Sequence, residues 1–195
     1  MKSLFLLTAP ALLAASAALA APAPRLVPDR DVTVEYQLFP PEQPEIPVRA
    51  EIAAGGLHLR ATSDEIPAIV IVNRQTETAA LLVPLLRAYA NVGIGKYDPE
   101  TTVLRGASFS RVGHDVLAGQ PCTRWQAVSP HGTASACITA DGVILAGSAH
   151  SDRKGDLGSV RAIRVSYGPL PPNAFEIPAD FVENPLAQSA LTMMR

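Results

Sequence analysis

Asp31-Val32-Thr33-Val34-Glu35-Tyr36-Gln37-Leu38 alternates without a break between polar and apolar side chains. A period of two marks a half-buried strand, because successive side chains of extended backbone point to opposite faces. Val32, Val34, Tyr36 and Leu38 form the expected buried face. The period returns in Val48, Ala50 and Ile52 against Arg49 and Glu51, and after a Gly55-Gly56 turn in Leu57, Leu59 and Ala61 against His58, Arg60 and Thr62. Residues 68–72 are a β-branched run that reads as a buried strand, turned back by 73–77 toward 78–83. Residues 161–167 alternate again, with Ile163, Val165 and Tyr167 inward. Roughly eight to eleven candidate strands follow from this pattern, so the fold class is mainly β and antiparallel.

The punctuation agrees. Pro40, Pro41, Pro44 and Pro47 make a stiff crossover between the first two strands, Asp141-Gly142 turns toward 143–146, and 151–156 reads as a solvated hairpin tip. Two short helices are also expected. Residues 83–90 place Leu85, Leu86 and Tyr89 on one helical face, with Pro84 limiting the length to a turn or two. Asn184-Pro185 resembles a cap and first residue ahead of 186–194.

The N-terminus sets the compartment. Lys2 begins a short positive region, an apolar stretch runs from Leu4 to Leu13, and Ala18-Leu19-Ala20 has the form cut by signal peptidase. A retained anchor is the alternative, but Pro10 and the small residues that follow fit cleavage better. There is no Arg-Arg pair and no Cys after the apolar stretch, which points to the general secretory route without lipidation. The expected organisation is a cleaved signal peptide over 1–20, a flexible mature N-terminus over 21–30, one antiparallel β domain over 31–182, and a tail or short helix over 183–195. No later segment has the length of a membrane span. Periplasm is the expected location.

Cys122 and Cys137, the only two cysteines, flank two strand-like arms around a Ser-Pro-His-Gly turn at 129–132. Folding that hairpin brings them opposite one another or nearly so, within disulfide range, and an exported protein meets an oxidising environment. A redox-active pair would want C-x-x-C spacing, which is absent. Once Lys2 leaves with the leader, fifteen basic side chains face eighteen acidic ones. That mild acidity, with few aromatics, does not fit a nucleic-acid binder.

Familiar catalytic patterns are missing. Gly106-Ala-Ser108-Phe-Ser110 lacks the second glycine of a nucleophile elbow, and Gly93-Ile-Gly95-Lys96 is too short for a phosphate loop. His58, His114, His131 and His150 are isolated from each other and from carboxylates at ligand spacing, so no metal and no cofactor is expected. His131 falls in a turn and His58 on the polar face of its strand, which reads each as a surface residue. Asp98 with Glu100, and Asp152 with Asp156, sit in polar loops and read as solvated.

Gly119-Gln-Pro-Cys122-Thr-Arg-Trp125, preceded by a strand around 109–112, is similar to a G-x-x-C-x-x-W element of uncharacterised secreted bacterial domains. These are related in fold to the periplasmic lipoprotein carriers of the LolA/LolB kind. Ser166-Tyr-Gly-Pro169 followed by Phe175-Glu-Ile-Pro178-Ala-Asp-Phe181 resembles the same group's ending. The resemblance covers most of 31–182. It implies a strongly curved antiparallel sheet, an unclosed half-barrel with a concave apolar face that in the carriers takes acyl chains; those carriers lack this cysteine pair.

Three readings of function follow. The first is a non-catalytic binding module for a hydrophobic small molecule or lipid, with Tyr36, Leu59, Ile71, Tyr89, Trp125 and Tyr167 lining or gating the concavity; taken singly, each reads more simply as ordinary core. Trp125 points away from the face carrying Cys122, so the disulfide is expected outside and Trp125 toward the concavity. The second is an envelope interaction protein acting through a sheet edge or the C-terminal tail. The third, ranked last, is an enzyme whose site is assembled from distant residues.

Overall fold

In the computed structural model of the chain, which describes residues 23–93 and 103–184, the period-two runs are strands. The leader and the helix expected at 186–194 lie outside the described residues. Strands β1 (Val32–Phe39), β2 (Ile46–Ile52), β3 (His58–Thr62), β4 (Ile69–Asn73), β5 (Thr78–Val83) and β6 (Ala88–Gly93) form one meander. A second contains β7 (Ser108–Leu117), β8 (Gln120–Ser129), β9 (Gly132–Ile138), β10 (Ile144–Ser151) and β11 (Gly155–Tyr167). A two-residue β12 (Val182–Glu183) completes a single sheet of order β12-β6-β5-β4-β3-β2-β1-β11-β10-β9-β8-β7. Every pairing is antiparallel except β12 with β6. The two meanders join where β1 pairs with β11, and the sheet does not close.

Connectivity leaves a flat sheet almost no slack. β6 and β7 stand ten strand spacings apart, which is roughly 48 Å in a flat sheet. The chain from Gly93 to Ser108 reaches only about 50–54 Å when fully extended, and at 103–104 it is helical. The bend is toward the apolar side: the Tyr36 phenol on β1 reaches past β11 and donates to the Ile144 carbonyl on β10 at 2.8 Å.

Pairing register decides which residues share a face. Val34 sits opposite Val165 and Ala50, Ala50 opposite Ala61, Ala61 opposite Val70, Val70 opposite Leu81, and Leu81 opposite Ala90. One face is therefore apolar across seven adjacent strands, from β11 to β6. The reverse face carries a charge ladder in which Glu35 meets Arg49 and Arg164, and Glu51 meets Arg49 and Arg60. Further along, that reverse face becomes apolar at Ile69, Ile71, Ala80, Leu82 and Tyr89, and Phe175, Ile177 and Phe181 pack over it.

Several expectations change. The helix expected at 83–90 is one 3-10 turn, Pro84–Leu86, followed by Arg87 in the left-handed region at φ 46° and then β6. Proline limits the turn and the reversal at Arg87 returns the chain to the sheet, leaving Leu85 85% exposed. The proline-rich crossover is a hairpin connection between neighbouring strands, with Pro47 inside β2 opposite Gln37. The run at 68–72 is only partly covered, Ile71 alone being buried. Ile163 is not inward: a bulge sets Glu35 opposite Arg164 but Tyr36 opposite Ala162, so Ala162 is buried while Ile163 is 59% exposed. The segment read as flexible over 21–30 is pinned at its end, with Pro28 buried and Asp29 N–H donating to Asp141 O. Gly142 (φ +96°) allows this docking, since a Cβ there would collide with the Val27 carbonyl.

The Cys122–Cys137 bridge is formed, with Cα atoms 5.4 Å apart. The cysteines are offset diagonally, Arg124 being the residue opposite Cys137. The bridge is not outside. Both cysteines are buried and cluster with Val32, Val34, Val143, Leu145 and Ala162. A buried disulfide marks an extracytoplasmic protein.

Candidate functional site

The apolar concave face is the candidate site. Extended backbone puts Val32, Val34 and Tyr36 on it from β1, and register adds Ile52, Leu59, Val72 and Ala79. Its far end is well covered, with Leu81, Val83, Ala88 and Ala90 all buried. At the β11 end, Leu38, Val160, Gly147 and Ala136 form one cross-strand row that stays partly exposed and ends at Trp125.

The six candidate lining residues separate onto two faces. Tyr36, Leu59, Trp125 and Tyr167 share the concave face by register. Ile71 and Tyr89 lie on the reverse face, opposite Arg60 and Leu82, under Phe175, Ile177 and Phe181. Ile71 is covered because β4 and β5 are apolar on both sides, and Tyr89, on β6, packs against the same cluster. His58, expected at the surface, is half-buried, with its ring 5.5 Å from that of Phe175.

Two tyrosines anchor structure through their hydroxyls. Tyr36 donates to Ile144 O, and Tyr167 donates to Asp141 Oδ1 at 3.3 Å. Arg30 lies 3.7 Å over the Tyr167 ring and donates to Asp141 Oδ2 at 3.0 Å. Burial acts to raise the Asp141 carboxyl, but hydrogen bonds from Thr139, Arg30 and Tyr167 outweigh it and hold the group below its ordinary value. Burial, then the bond to Asp141, pushes the Tyr167 phenol up. The cluster ties the N-terminal segment to the 139–143 turn at one end of the sheet.

Arg111 does not stand out in the sequence. It pairs directly with Trp125, and its guanidinium lies 5.0 Å from the ring centroid. The available signal is parity: Phe109 and Arg111 share a side of β7, so a cation stands where alternation calls for an apolar residue. An open depression of about 690 Å³ over β7–β11 is lined by Arg124, Arg161, Gln126, Ser135 and Ser148, which by register point to the side opposite Trp125 and Arg111. Its lining is mixed, with Phe39, Val112 and Leu117 beside the polar side chains, and it is open, unlike an enclosed acyl cavity. Among the described residues there is no group of three or more His, Cys, Asp or Glu able to hold a metal ion, and no helix long and apolar enough to cross a membrane.

No family model and no curated protein matches the chain. Among solved structures, an uncharacterized conserved protein from Thermus thermophilus superposes with TM-score 0.56 at 10% identity, over 80% of this chain and 91% of that one. MucB in the Pseudomonas aeruginosa MucA/MucB complex gives TM-score 0.52 at 13% identity, over 77% of this chain and 56% of that chain. The chain thus spans little more than half the length of MucB. An outer membrane lipoprotein-sorting protein domain from Vibrio parahaemolyticus superposes less closely, with TM-score 0.40 and 7% identity over 75% of this chain and 89% of that chain. At such identities the Thermus and Pseudomonas structures establish one thing: this chain is similar to them in fold.

Proposed function

We propose that the chain is a non-catalytic periplasmic protein, exported by the general secretory route and cleaved after Ala20, that holds a hydrophobic ligand, an acyl chain or lipid, against the concave face of its sheet. One observation carries this reading. From β11 to β6 the register places no Lys, Arg, Asp or Glu among the paired residues of that face. A sheet that curves around such a surface offers apolar area to a ligand at about 25 cal/mol per Å² removed from water. The resemblance to lipoprotein carriers supports the same ligand class.

The test is native mass spectrometry of the mature protein, released from the periplasm without detergent. A stoichiometric adduct removed by organic extraction and identified as a lipid is the expected result. A clean mass at the disulfide-bonded chain weight would sink the reading.

A second reading, an envelope interaction protein, is favoured by β12. This two-residue strand occupies the β6 edge through Val182 N–H to Arg87 O and Asn184 N–H to Tyr89 O, so the edge accepts an added strand. Truncation of 185–195 that abolishes capture of a partner while lipid binding persists would favour it. An assembled catalytic site ranks last.

A further inference from the structure

Resting on the reading above, we propose that the ligand is a single-chain amphiphile with a carboxylate head, and that Arg111 binds the head while the Trp125 row takes the chain. Of the six Lys or Arg residues in the described strands, Arg49, Arg60, Arg124, Arg161 and Arg164 fall by register on the reverse side. Arg111 alone shares the side of Trp125 and, through Ala136, Gly147 and Val160, that of Leu38. Arg49, Arg60 and Arg164 are each paired with Glu35 or Glu51. Arg111 makes no ion pair among the described residues; its contact is the face of Trp125, which orients a guanidinium and leaves its N–H fork open.

The chemistry that matches is one anionic group at the edge of an apolar strip. A guanidinium fork binds one carboxylate bidentately, and one cation calls for one charge. The strip running from it follows the row Trp125, Ala136, Gly147, Val160 and Leu38, with its smallest residues in the middle, and Ala127, Ala134 and Ala149 flank it on the same side. Four strand spacings make the row roughly 19 Å long, comparable to an extended long acyl chain. Of its members only Trp125 is buried, so the row remains open where the far end of the same face is filled.

The experiment titrates the mature protein with oleate and with oleyl alcohol, both below aggregation, following fluorescence of Trp125, the single tryptophan, with native mass spectrometry as a second readout. Oleate should bind roughly tenfold or more tightly than the alcohol, the scale of a charge-assisted hydrogen-bonded pair. That preference should shrink at high salt. Arg111→Gln should abolish the preference while leaving alcohol binding in place, and Arg111→Lys should keep part of it. Near-UV circular dichroism of both variants checks the fold. Equal affinity for the two probes, or a preference that survives in Arg111→Gln, overturns the assignment of the head site and leaves the binding reading intact. Failure of both probes to bind overturns the binding reading as well.

Discussion

Replacing Cys122 and Cys137 together by alanine should destabilise the domain by about 3 kcal/mol. The bridge closes a loop of sequence separation 15. The chain-entropy relation gives about 10 cal/mol/K lost from the unfolded ensemble for such a loop, hence about 3 kcal/mol at 25 °C. β8 pairs with β9 from Thr123–Ile138 to Ser129–Gly132 independently of the sulfurs, so the native hairpin should survive in the variant and the main loss should lie in the unfolded chain. A packing loss adds to it. The cysteines are 4% and 5% exposed in a cluster with Val32, Val34 and Leu145, and alanine leaves room where two sulfurs were. Urea unfolding followed by Trp125 fluorescence is the assay. With a slope of about 2 kcal/mol/M for a domain of this size, the midpoint should fall by roughly 1.5 M. Reduced wild-type protein should unfold near the variant, slightly above it because the sulfurs still fill the core. A fall of less than about 0.5 M in both would refute the argument that this bridge acts chiefly by restricting the unfolded chain.

Three further outcomes are expected. Ile163→Ser should change stability by less than about 0.5 kcal/mol, whereas Ala162→Leu should cost about 1–3 kcal/mol by overpacking, measured by the same denaturation; the reverse order would place the bulge elsewhere. Gly142→Ala should strain a φ of +96° and push against Val27 O, which limited proteolysis would detect as cleavage within 23–30 that the wild type resists. Asp141 has a folded value below its ordinary one, so its contribution is full above the unfolded carboxylate range near pH ~4 and is lost as pH falls through the depressed value. Asp141→Asn should therefore be less stable than wild type at pH 7, with the gap closing in acid; a gap constant from pH 7 to 2 would contradict the hydrogen-bonded network.

Much of the sheet is legible because strand burial is written locally. The alternation at 31–38 and 48–52, the turn at 73–77 and the tips at 141–142 and 151–156 all appear where residue types place them. The disulfide follows from hairpin arithmetic. The pattern at 83–90 misleads because Leu85, Leu86 and Tyr89 satisfy a helical face on paper, while Pro84 and a left-handed Arg87 send the chain back as a strand. Ile163 misleads because one inserted residue reverses parity from that point. Of the candidate lining residues, Tyr36, Leu59, Trp125 and Tyr167 occupy the face that alternation assigns them. Ile71 does not, since β4 is apolar on both sides and period two then has no contrast to read; Tyr89 does not, because it lies on β6 where the spacing over 83–90 predicts a helical face.

By itself, the sequence determined the class of fold, most strand positions and the bridging of the cysteines, all of which rest on backbone periodicity, turn chemistry and short chain separation. Only the tertiary structure decided that the disulfide lies in the core, that the 175–181 segment covers the reverse face, and that Arg111 lies over Trp125 on the concave side. Each of these depends on which distant strands become neighbours and how far the sheet bends. The hydrophobic effect that drives the bend is non-directional, so register and curvature emerge only once the whole sheet is assembled.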